Sequence, residues 1–180
     1  MEDLSLHILD IAENSIAAGA RGLSITVSED VGRDLLTIEI VDDGKGMNAE
    51  LAEKAADPFF TTRTTRKVGM GLALLKEAAA MANGTMEIRS APNEGTTIRG
   101  SFQFSHIDRK PLGNMADTIV ALIANDAEVN ILYKHARDGK VLVFDTKLVR
   151  TQLGDILLNS VEALNLIRSY LDQEEATLAH

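Results

Sequence analysis

Residues 3–18 carry Leu4, Ile8 and Ile11 at helical spacing, with Leu9, Ala12 and Ile16 widening the stripe. That pattern predicts a helix with one face in a core, stopped at Ala18-Gly19-Ala20. The period then changes. Leu23, Ile25 and Val27 alternate with polar residues, as do Leu36, Ile38 and Ile40, which predicts two strands joined as a hairpin near Gly32. Asn48 is placed to cap a short helix over 48–56. The tract Thr61-Thr62-Arg63-Thr64-Thr65-Arg66-Lys67 has no period and reads as a loop. An Ala- and Leu-rich helix follows over about 71–82, ended by Asn83-Gly84. Strands at about 85–90 and 96–104 flank Pro92-Asn93-Glu94-Gly95.

Residues 106–113 read as a connector. Beyond them the pattern predicts a helix over 114–125, a hairpin (129–135 and 140–145) turning at Asp138-Gly139, and helical pattern from 147 to about 173, where Leu153, Ile156, Leu157, Val161, Leu164, Ile167 and Leu171 suit helices. Hairpins mixed with helices argue for an α+β two-layer sandwich rather than a doubly wound parallel sheet. The expected division is a domain over 1–105 and a C-terminal α/β extension over 106–180. The extension is apolar enough to pack on the first domain or on a partner, a second copy of the chain included.

Composition narrows the function classes. The 180 residues include no cysteine, which excludes a thiol nucleophile and any cysteine-ligated metal. The four histidines are scattered, which argues against a histidine metal site. Lys and Arg number 18 against 27 Asp and Glu, a net charge of -9. Neither half is basic, so a broad nucleic-acid surface is disfavoured. No apolar run reaches the ~18 residues of a membrane span. The start, Met1-Glu2-Asp3, lacks the basic region of a signal peptide. The expectation is a cytoplasmic protein with no membrane or nucleic-acid partner.

Three places carry candidate chemistry. Asp10, Glu13 and Asn14 stand at i, i+3 and i+4 and share a helix face. A carboxylate and an amide one turn apart suit a hydrated Mg²⁺ and an oriented water, and a solvated polar face is the plainer reading of this trio taken alone. Asp42-Asp43-Gly44-Lys45-Gly46-Met47 sets a carboxylate at a strand end beside open backbone. It suits a flat ligand with an exocyclic amine, or a plain turn. Gly69-Met70-Gly71 at a helix start suits phosphate, with Arg63, Arg66 and Lys67 just upstream, or a simple glycine hinge. Neither a Walker A nor a G-x-G-x-x-G pattern occurs.

The order of these segments resembles the GHKL superfamily of gyrases, heat-shock chaperones, histidine kinases and mismatch-repair ATPases, over about residues 3–104. Leu9-Asp10-Ile11-Ala12-Glu13-Asn14-Ser15-Ile16-Ala17-Ala18-Gly19-Ala20 resembles the N box, in its mismatch-repair form. Asp42 to Met47 resembles D-x-G-x-G, and Asp57-Pro58-Phe59-Phe60-Thr61-Thr62 the F box. Gly69-Met70-Gly71-Leu72 with Lys76 resembles the second glycine box, and Gly95-Thr96-Thr97 the end of the domain. The resemblance implies the GHKL (Bergerat) sandwich with ATP and Mg²⁺ as cofactors. Asn14 would ligate the metal and Asp42 would accept from adenine, supported by Thr97. Gly44, Gly46 and Met47 would shape the adenine pocket. Phe60, Thr62, Arg66, Gly69, Met70, Gly71 and Leu72 would line the lid and phosphates.

The resemblance also bears on the reaction. ATPases and serine-type kinases of the superfamily usually carry a glutamate general base four residues before the asparagine, and histidine kinases an amide. Here the position holds Asp10, which implies slow ATP hydrolysis or phosphorylation of a hydroxyl on a protein partner. A non-catalytic ATP-sensing module is the alternative. With the N-box helix starting near residue 4, no phosphoacceptor hairpin is expected ahead of it. His106-Ile107-Asp108-Arg109-Lys110-Pro111-Leu112 resembles the H box of an orphan histidine kinase, but its acid is displaced by one residue, about 100° around a helix. The start and tail together resemble short GHKL proteins encoded near bacterial iron hydrogenases, which implies a regulatory or maturation setting.

Overall fold

The computed structural model describes residues 3–55 and 71–179. Helix α1 (Leu4–Ala17) is capped by Asp3, whose carboxylate accepts from Leu6 N, and ends before Gly19 at φ +87°. Strands β1 (Gly22–Asp30) and β2 (Leu35–Asp42) form the expected antiparallel hairpin, with Ile25 across from Ile40 and Val27 across from Ile38. A short α2 (Ala49–Lys54) is capped by Asn48, which accepts from Leu51 N at 2.9 Å. Then come α3 (Gly71–Met81), β3 (Met86–Ala91) and β4 (Gly95–Gln103). The remainder is α4 (Met115–Asn125), β5 (Asn130–Arg137), β6 (Lys140–Asp145), α5 (Thr146–Leu153) and α6 (Val161–Ala179).

The six strands make one sheet in the order β3-β4-β2-β1-β5-β6. Neighbours are antiparallel except β1 and β5, which run parallel. Alternation sorts the two faces. Ile25, Val27, Ile38, Ile40, Ile98, Ile131 and Tyr133 turn inward and are buried. Thr26, Glu39 and Arg99 share the other face, where Glu39 and Arg99 stand directly opposite each other. Helices α1, α3, α4 and α6 cover the apolar face, with α1 between α3 and α4. The result is a two-layer α+β sandwich, as the element order predicts.

The sheet does not stop at residue 105. Parallel pairing sets Leu23 beside Ile131, Ile25 beside Tyr133 and Val27 beside His135. The crossover through α4 is what lets β5 return parallel to β1. The connector also closes the start of α1: Pro111 O accepts from Leu4 N at 3.0 Å, and Leu112 O from Ser5 N at 2.7 Å. These are first-turn amides that a helix leaves without internal partners. Residues on both sides of 105 therefore share one apolar core.

The helical pattern over 147–173 resolves into two helices. Gly154, at φ +59°, ends α5, and α6 restarts after Ser160, whose Oγ accepts from Ala163 N. The second helix then runs on to Ala179. Apolar spacing continues through the break because Leu158 is buried from the turn itself.

A buried polar network fixes α6 to the sheet. His135 Nε2 lies 2.8 Å from Glu29 of β1, and Nδ1 lies 2.7 Å from Glu175 of α6. Tyr133 donates to the second Glu175 oxygen at 2.5 Å, and Arg137 stands 3.4 Å from Glu29. Burial pushes His135 down, but hydrogen bonds to Glu175 and Glu29 outweigh it and raise its pKa to about 9. The His135 hydrogen bond holds Glu29 below its ordinary range. Burial and then Glu175 raise Tyr133. His7 on α1 is the opposite case: burial, then the nearby Lys110 charge, lower its pKa to about 4.

Candidate functional site

The site lies where the C-terminal ends of α1 and β2 meet the start of α3. Asp42, the last residue of β2, is buried. Ser15 Oγ donates to one carboxylate oxygen at 2.7 Å, and Gly44 N donates to the other at 2.9 Å. A carboxylate has lone pairs beyond these two, so Asp42 keeps acceptor capacity for a ligand amine. Next to it, Asp43 accepts from Arg21 N and Gly22 N, both at 2.7 Å. Those bonds, the one from Gly22 first, hold its carboxyl below the usual range. Asp43 is thus a loop clasp, while Asp42 faces the interior.

Two glycines are required by close approach. Gly46 has φ +62°, and a Cβ there would lie 1.9 Å from Ala91 O. At Gly44 a Cβ would come 3.0 Å from the Asp42 carboxylate. The loop is thereby pressed against β3, and Met47 N donates to Ser90 Oγ at 2.8 Å. Met47 is half-buried, and Leu72 packs against the core.

Asp10 and Asn14 stand one turn apart on α1. Asn14 is half-buried, and among the described residues its amide has no hydrogen-bond partner. Asp10 Oδ2 is buried and, among the described residues, equally without one. It points at Gly71, the first residue of α3, where a Cβ would fall 2.1 Å from that oxygen. A buried carboxylate oxygen without a partner costs about 1–3 kcal/mol or more, so its persistence calls for an explanation. Gly71→Ala must displace Asp10. We expect it to lower any turnover more than about tenfold, with little further loss when combined with Asp10→Asn, the coupling a double-mutant cycle measures.

Strand register separates Thr96 from Thr97. Thr97 stands across from Val41, on the face away from the helices. Thr96 stands across from Asp42 and is buried, and its hydroxyl lies 2.9 Å from Ser90 Oγ. Neither Thr96 nor Ser15 is marked by periodicity alone; the pairing of β2 with β4 and the docking of α1 select them. Phe60, Thr62, Arg66, Gly69 and Met70 lie outside the described residues. His106 sits in a turn after β4, its Nδ1 accepting from Asp108 N at 3.2 Å. The segment resembling an H box is not helical.

The donor set can be tested against ATP and Mg²⁺. Among the described residues no group of three or more acidic or histidine side chains could cage a metal. Mg²⁺ bound with nucleotide needs few protein ligands, the rest being phosphate oxygens and water. The unpartnered Asn14 amide, the acceptor at Asp42 and the glycine-lined loop fit that requirement.

A two-layer sandwich with a buried strand-end carboxylate, flanking glycines and an Asp–Asn pair on the first helix has the build of a histidine-kinase-type ATPase domain. Residues 2–106 match the family model for histidine kinase-, DNA gyrase B- and HSP90-like ATPases, and the chain belongs to that family. It is 34% identical over 112 residues to the non-motile and phage-resistance protein of Caulobacter vibrioides, covering 57% of this chain and 13% of that one. It is 36% identical over 73 residues to the sensor histidine kinase YxdK of Bacillus subtilis, covering 38% and 22%. The chain thus spans less than a quarter of the length of either relative. In fold it is similar to the N-terminal domain of a DNA repair protein, with a TM-score of 0.53 at 18% identity over 79% of this chain and 52% of that one. No helix among the described residues is long and apolar enough to cross a membrane.

Proposed function

We propose that the protein binds Mg-ATP and uses it for slow hydrolysis or for phosphorylating a hydroxyl on a partner protein. The observation that carries this reading is Asp10 Oδ2, buried, without a partner among the described residues, and aimed at the first residue of α3. A helix start offers free N–H groups and a positive dipole end to phosphate. A carboxylate held against it is placed to take the proton of an attacking water or hydroxyl. Asn14 would hold the Mg²⁺, which when bound neutralises phosphate charge. Asp42, oriented by Ser15 and Gly44, would accept from the adenine amine, and Thr96 would hold the adjoining strand in place. Gly44, Gly46 and Met47 would shape the adenine pocket, and Gly71 with Leu72 would lie by the phosphates.

Isothermal titration of ATP with Mg²⁺ tests the reading. Asp42→Asn replaces one acceptor oxygen by a donor facing a donor, so the affinity should fall about 10- to 100-fold, the worth of a charged hydrogen bond. Wild-type protein that binds no nucleotide would overturn the proposal. Binding with no phosphate release, alone or with partners, would leave the ATP-sensing module as the function.

A further inference from the structure

Two buried side-chain atoms have no hydrogen-bond partner among the described residues, His7 Nδ1 and Asp10 Oδ2. Their residues are three apart on α1, so the two side chains are neighbours on one side of the helix. The proposed reaction uses Asp10, and His7 has no part in it. Yet His7 is fully buried, and a buried polar group ordinarily finds a partner.

The far side of the ring fixes its state. Lys110, in the connector that closes the first turn of α1, lies 3.4 Å from His7 Nε2. An ammonium group has hydrogens and no lone pair, so Nε2 accepts from it. Burial, then the Lys110 charge, lower the pKa to about 4, so the ring is neutral at pH 7. A neutral imidazole carries one ring proton, which is then on Nδ1. His7 thus holds a buried N–H donor one turn before a buried carboxylate oxygen, and among the described residues each lacks what the other offers. Side chains on a helix lean towards its N-terminus, so Asp10 reaches back over the turn that holds His7. Nδ1 is the ring nitrogen nearer the helix, and Nε2, farther out, meets Lys110.

We propose that His7 is a positioning residue for Asp10, its Nδ1–H donating to the carboxylate through one bridging water. The inference rests on the reading of Asp10 as the base. A water that accepts from Nδ1–H and donates to Oδ2 gives both groups a partner, the common solution for buried polar groups just out of reach of each other. It fixes the plane of the carboxyl against the start of α3, where Gly71 leaves no side chain in the way. A carboxylate has roughly four lone-pair sites, so the bridge leaves others for the proton of the attacking water or hydroxyl. His7 moves no proton itself. Lys110 sets the tautomer and so ties the connector to the base on α1.

Phosphate release and ATP affinity, measured on the full chain, test this. His7→Leu fills the space without a donor. It should lower phosphate release about 10- to 100-fold, the worth of a hydrogen bond to a charged group, with ATP affinity little changed. His7→Asn, whose amide N–H stands near the place of Nδ1, should recover most of the rate. In an Asp10→Asn background His7→Leu should cost nothing further. A packing role would instead lower affinity and melting temperature together with the rate, and would persist without the carboxylate. Nitrogen-15 spectra need no nucleotide: the His7 ring should be neutral and protonated on Nδ1. Its resonances should move in Asp10→Asn and stay in Glu13→Gln, an exposed acid on the same helix. A ring protonated on Nε2, one indifferent to Asp10→Asn, or full turnover in His7→Leu would overturn the proposal. Full turnover in Asp10→Asn would remove the base reading and this inference with it, whereas turnover lost in Asp10→Asn and kept in His7→Leu would remove this inference alone.

Discussion

Replacing Asp10 with asparagine should lower phosphate release from Mg-ATP by about 10²- to 10⁴-fold, the usual contribution of a positioned general base. That corresponds to about 3–5 kcal/mol of barrier. Affinity for ATP should change only a few-fold, because adenine recognition rests on Asp42, at the end of another element. The substitution keeps shape and removes the basic oxygen, so a fall in turnover at unchanged affinity separates a base from a binding group. Stability should hold or rise slightly, because a buried oxygen without a partner among the described residues is exchanged for a neutral amide. Steady-state phosphate release and a thermal melt measure both sides. Unchanged turnover would remove Asp10 from the mechanism.

The parts of the site that can be read from the sequence are those that depend on local spacing. Asp10 and Asn14 share a face because a helix repeats every ~3.6 residues. Asp42 sits at a strand end because alternation runs into glycines. What the sequence does not show depends on pairing between distant segments. Thr96 rather than Thr97 faces the Asp42 side because β4 pairs with β2 in one register, and a one-residue slip would reverse the choice. Likewise, the pattern of Ile131 and Tyr133 predicts a strand but not that it lies parallel beside β1. The break at Gly154 is hidden because Leu158, in the turn, keeps the apolar rhythm of the helices around it. Ser15 is visible as a residue, but its bond to Asp42 spans 27 positions and requires the fold.

The same pairing gives His135 an importance that its place in a strand does not announce. The imidazole joins Glu29 and Glu175, which lie far apart in the chain, so removing it leaves two carboxylates with little exposure facing each other. Breaking a buried ion pair from one side costs about 3–5 kcal/mol, and His135→Ala should lose that much in urea denaturation at pH 6. The pH dependence has a definite sign. His135 has its pKa raised from 6.5 to about 9 in the folded state, so its contribution is complete below pH 6.5 and is lost as pH rises through 9. The shift corresponds to about 3 kcal/mol. On the acid side His7 works the other way: with a folded pKa of about 4, it resists a proton that the unfolded chain accepts, and stability falls from pH 6.5 towards 4. Glu29, held low, adds stability that is present above pH 4.5 and lost as pH falls through its folded value. Wild type should therefore be most stable near pH 6–7, where these three dependences meet. In His135→Ala the alkaline decline between pH 6.5 and 9 should flatten while the acid decline due to His7 remains. A variant that keeps the full alkaline slope would show that the imidazole is not the group that titrates there.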